Sequence, residues 1–120
     1  MMTAYLDYLD ASADKLQAEA RALQAASRAD EANFVKIRIN IFGVCKTVYE
    51  TLQRATEPAQ FEQAYLAKLR QLSDSWQAAY DKAKMHDDAE KLLIEEIKLK
   101  TLQKIKLQYL ELRRKGHAGS

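Results

Sequence analysis

One proline, one cysteine and three glycines are all that this chain of 120 residues holds of the residue types that break, staple or bend a backbone. Two of the glycines fall within the last five residues, so Gly43 and Pro58 are the only interruptions in the body of the chain. Ala, Leu, Gln, Lys and Glu dominate the remainder, which excludes a fold of short strands and tight turns and implies long helices. The length suits one domain, residues 1–120, large enough to bury a core without a staple.

The other scarcities exclude chemistry. A lone Cys45 cannot close an internal disulfide, and with Val44 and Val48 beside it on an apolar stripe it reads as a small buried hydrophobe in a reducing cytoplasm. The histidines are His86 and His117, and the residues three before them are Ala83 and Arg114, so the Glu-x-x-His pairs of di-iron bundles are missing. His86, Asp87, Asp88 and Glu90 could ligate a metal at the surface but read better as a helix cap, and no metal or cofactor is expected. There is no phosphate-cradling glycine loop, and no Ser, Thr or Cys in a recognisable histidine context. A non-enzymatic protein is therefore expected. No apolar run reaches the length of a membrane span, and acids stand near the N-terminus where a secretion signal would be basic, so a cytoplasmic protein without a membrane partner is expected.

Apolar residues recur at helical spacing throughout. Tyr5, Leu9, Ala13, Leu16, Ala20 and Leu23 make one seam, predicting a first helix over 3–27. Ser27 with Asp30, or Asp30 alone, can cap a second helix over 30–56, although the spacing would also run on as one long helix from 3 to 56. The second helix is the most apolar: Phe34, Ile37, Ile41, Cys45 and Leu52 form one stripe and Val35, Ile39, Phe42 and Tyr49 another, which marks it as central. Pro58 opens a third helix over 58–84, and Asp87 with Glu90 resembles a capping box for a fourth over 87–115. Four helices of similar length predict an all-α, antiparallel up-down four-helix bundle. A long two-helix hairpin that dimerises into such a bundle is the alternative.

The fourth helix carries two stripes. Leu92, Leu99, Leu107 and Leu110 lie to one side, while Ile94, Leu102, Ile105, Tyr109 and Leu112 lie largely opposite. Two faces call for two partners, so the leading expectation is a structural or protein-interaction module that forms a homodimer through the second set. Within the second helix, Arg38 stands where the pattern calls for a hydrophobe. Its planar fork of donors suits an anion, so the alternative is a small-anion-binding bundle with Arg38, Cys45 and Tyr49 at the site. Net charge is balanced at +2, but Lys98 to Lys115 holds seven basic residues and one acid, Glu111, which leaves weak nucleic-acid binding by the last helix as a third reading.

Overall fold

The computed structural model describes residues 3–118 and contains four helices, α1 (Thr3–Ala25), α2 (Ala29–Ala55), α3 (Pro58–Met85) and α4 (Ala89–Ala118). They form an all-α four-helix bundle of 47 × 35 × 25 Å. Short connections turn the chain back on itself three times, so successive helices run antiparallel. The bundle is two hairpins laid together: α1 packs on α2, α3 packs on α4, and α2 joins the pairs by packing on both α3 and α4. The most apolar helix is thus the central one. Tyr5 and Leu9 of α1, Ile41, Phe42, Cys45 and Tyr49 of α2, Tyr65 and Leu69 of α3, and Leu102, Ile105 and Tyr109 of α4 form the core.

Both hairpin turns are closed by the same bonds. The Ser27 N–H donates to the Gln24 carbonyl and the Arg28 N–H to Leu23, while the Asp87 N–H donates to Lys84 and the Asp88 N–H to Ala83. This is a Schellman end, which requires one residue in the left-handed region. Glycine usually occupies that position, but here Ser27 (φ 60°) and Asp87 (φ 52°) do. The expected caps are corrected accordingly. Ser27 and Asp87 end the preceding helices; α2 has no side-chain cap, and Asp88 Oδ1 caps α4 by accepting the Lys91 N–H at 3.1 Å. The left-handed residue also ends the alternative of one helix from 3 to 56, because it reverses the chain where the apolar spacing would have run on.

The matching turns belong to a repeat that spans the whole molecule, with a period of sixty residues. Tyr5, Leu6 and Leu9 recur as Tyr65, Leu66 and Leu69, and Tyr49, Leu52 and Arg54 recur as Tyr109, Leu112 and Arg114. Ring packing follows the same correspondence. Tyr5–Tyr49 (5.5 Å) matches Tyr65–Tyr109 (5.3 Å), and Tyr5–Tyr109 (4.9 Å) matches Tyr65–Tyr49 (5.3 Å). The two hairpins are related by an approximate twofold axis through the tyrosines.

That relation explains the two stripes of α4 and corrects the expected dimer face. Leu102, Ile105 and Tyr109 are 3 %, 0 % and 2 % exposed, and Leu112 packs against the same core. Ile94 is half-buried. The second partner that α4 calls for is the other hairpin of its own chain. On the first stripe, Leu92, Leu99 and Leu110 are half-buried and Leu107 is exposed. A Cβ at Gly43 would meet nothing within 4 Å among the described residues, so no close helix approach depends on this glycine.

Two stability changes follow. Ile105→Ala is expected to cost about 2–5 kcal/mol in urea unfolding, as a fully buried side chain does; an unchanged midpoint would mean that this face is not core. Ser27→Gly is expected to gain about 1 kcal/mol by relieving the left-handed backbone, and a loss in the same measurement would contradict the turn geometry.

Candidate functional site: a cationic groove beside the tyrosine core

Where the hairpins meet, the hydroxyls are ordered by their supply of protons. Tyr65 O–H donates to the Cys45 carbonyl at 3.3 Å, so the 2.5 Å contact between Tyr5 and Tyr65 is a bond donated by Tyr5. Tyr109 O–H donates to Glu62 Oε1 at 3.1 Å, and the same carboxylate oxygen holds Arg113 Nε at 2.6 Å. Burial, the largest influence on each, raises Tyr5, Tyr65 and Tyr109 above the ordinary tyrosine value, and for Tyr109 the bond to Glu62 adds to the rise. Burial likewise pushes the Cys45 thiol up to about 12, which keeps it protonated and unreactive near neutrality. Tyr49 is 2 % exposed among these rings. Cys45 and Tyr49, expected beside Arg38, are thus core residues, closed off from solvent.

Arg38 lies further back along α2 and faces outward between helices. It lines an open groove of about 390 Å³ where α1, α2 and α4 meet. Leu16, Phe42 and Thr101 are its inner residues, and the last two are buried. Around them stand Lys15, Arg38, Lys100 and Lys104, with Glu19 as the lone acid and Ser12 as a hydroxyl. Lys100 Nζ pairs with Glu96 at 2.8 Å, whereas Arg38, Lys15 and Lys104 have no ion pair among the described residues. The Thr101 hydroxyl donates to the Ile97 carbonyl at 2.7 Å, so towards the groove it can only accept. Half-buried Arg38 therefore offers its fork of donors to a concave surface with an apolar floor.

The periodicity of α2 alone singled out Arg38, but Lys15, Lys100 and Lys104 were not assigned to it. They come from two other helices, and no spacing along one helix could group them. Compared with known protein families, curated proteins and solved structures, the chain matches none. The groove must be read from its own chemistry.

Among the described residues no three His, Cys, Asp or Glu side chains converge as a metal site, and no helix is long and apolar enough to cross a membrane. The His117 side chain lies outside what is described.

The tyrosine centre sets the alkaline limit of the fold. Each raised group is an acid that the native state keeps protonated while the unfolded chain ionises near 10. Its contribution is fully present below that value and is lost progressively as pH rises above it, because the unfolded state then binds fewer protons. Urea unfolding followed from pH 8 to 12 should show a flat midpoint and then a steep fall beginning near 10. Tyr5→Phe should make the fall shallower, and an unaltered profile would place its ionisation elsewhere.

Proposed function

We propose that the protein is a non-enzymatic helical-bundle binding module whose ligand is anionic and occupies the Arg38 groove. The observation that carries this reading is a guanidinium with no ion pair among the described residues, set in a concave surface with Lys15, Lys100 and Lys104. An arginine inside an apolar arc needs a counter-charge or an escape to water, and the groove gives it room for the first from outside. A groove of this volume is at the small end of those that hold small molecules. Buried Cys45 and the buried tyrosines, all held protonated, supply no accessible nucleophile or base.

The other readings have less behind them. Self-association through α4 loses Leu102, Ile105 and Tyr109 to the core, and of its outward leucines Leu93 and Leu107 are exposed at 42 % and 56 %. Those two are about four helical turns apart, which is not a continuous patch. Nucleic-acid binding through the basic end of α4 is weakened by local neutralisation. Lys98 pairs with Glu95, Arg113 with Glu62, and Arg114 and Lys115 with Glu111.

The test is a titration of the whole protein with inorganic phosphate, octanoate and indole-3-propionate at fixed ionic strength, read by backbone amide shifts and thermal unfolding. At least one of them should move amides around Arg38 and stabilise the fold, by about 2.7 kcal/mol at a hundredfold excess over Kd. Arg38→Gln should abolish both effects. If none of the three binds, the anionic reading falls.

A further inference from the structure

The repeat provides an internal comparison for the groove, because the residues around Arg38 have counterparts sixty positions away in the other half. Arg38 corresponds to Lys98, Leu16 to Trp76, and Val35 to Glu95. In the second half the three counterparts satisfy one another. Lys98 Nζ pairs with Glu95 Oε2 at 3.1 Å and stands 5.8 Å from the centroid of the Trp76 ring. Cation, carboxylate and aromatic face are all supplied by the protein, and the Glu95 side chain is 7 % exposed.

In the first half two of the three are missing. Val35 occupies the carboxylate position, buried at 2 %, and Leu16 occupies the indole position, leaving its surface on the groove beside Arg38. The retained cation is the arginine, which is the better fork for a planar carboxylate and stacks well on a ring.

We infer that the Arg38 groove binds a small aromatic carboxylate, whose acid group supplies Arg38 from the groove side with the counter-charge that Glu95 supplies to Lys98, and whose ring covers Leu16, the counterpart of Trp76. The inference rests on the anionic reading above and narrows its ligand class. Lys15, Lys100 and Lys104 at the rim favour entry of the anion and hold its approach, while Phe42 gives the ring an apolar wall.

The three probes separate this inference from the reading beneath it. Indole-3-propionate should bind at least tenfold more tightly than octanoate or inorganic phosphate, shifting the side-chain signals of Leu16 and Phe42, and neutral 3-methylindole should not bind measurably. Arg38→Gln and Leu16→Trp should each weaken indole-3-propionate at least tenfold, the first by removing the fork and the second by filling the ring site with the residue of the other half. If Leu16→Trp fails to fold by circular dichroism, Arg38→Gln and the Leu16 and Phe42 shifts decide. Equal or tighter binding of octanoate or phosphate, with the Arg38 dependence kept, overturns the aromatic class and leaves the anionic reading standing. Affinity for indole-3-propionate unchanged by Arg38→Gln places the ligand elsewhere and overturns the inference, and no binding by any probe removes both.

Discussion

Four tyrosine side chains have to be buried where the hairpins meet, and their hydroxyls dictate the arrangement around them. A buried hydroxyl left without a partner costs roughly 1–3 kcal/mol, so the rings cannot simply pack as phenylalanines would. Tyr5 and Tyr65 answer this by bonding to each other across the approximate axis, and the second proton of the pair goes to the Cys45 carbonyl. The backbones of α1 and α3 stay apart, and the Tyr5–Tyr65 hydroxyl pair with the rings around it reaches across between them. A true twofold cannot pass through that chain of bonds. Each hydroxyl has one proton, so if Tyr65 donates to Cys45 then Tyr5 must donate to Tyr65, and the carbonyl of Ile105 opposite Cys45 receives no such bond from Tyr5.

That small asymmetry is repeated at larger scale along the helices. Positions near the axis keep their residue types, as Tyr5 with Tyr65 and Tyr49 with Tyr109 show, because each must satisfy the same neighbours from both halves. Away from it the halves diverge. Lys46 of α2 reaches Asp10 of α1 at 2.8 Å, but the counterparts Lys106 and Arg70 are both cations and cannot make that bridge. Surface pairs of this kind contribute little to stability, so their loss in one half is tolerated. The turns obey the opposite logic. Their hydrogen bonds are fixed by backbone geometry, so Ser27 and Asp87 hold the same left-handed conformation although they share neither size nor charge.

Much of this was legible in the sequence wherever one helix carried the information. Pro58 placed the start of α3, and the crowded apolar arc of α2 marked the central helix. The stripes of α4 showed that it has two partners, but not that the second is the other half of the same chain. A stripe records how much surface must be covered and nothing about what covers it. The sequence marks the turns but not their geometry, since Ser27 and Asp87 are good cap residues by type and only the backbone shows them in the left-handed region instead. The repeat is faint in the sequence because its shared residues are spread thinly over sixty positions and gain meaning only from rings that pack in matching pairs. Arg38 stood out as a charge in an apolar arc, while the lysines that surround it come from helices far apart in the chain.

The two halves therefore solve one electrostatic problem in different ways. Each has a cation on the inner helix of its hairpin, at a level where neighbouring positions are buried. The second half brings a carboxylate in beside it, which leaves Glu95 Oε1 buried with no hydrogen-bond partner among the described residues, a cost that the bond from Lys98 to the other oxygen must offset. It also covers the cation with an indole, which excludes water and strengthens the pair. The first half avoids the buried carboxylate by placing Val35 there, and its Arg38 must then look outward for a counter-charge. Satisfying Arg38 from within would take the residues that the second half already contains, an acid at 35 and a large ring at 16. With neither residue present, Arg38 stands unpaired among the described residues, on an open groove that it shares with Lys15, Lys100 and Lys104.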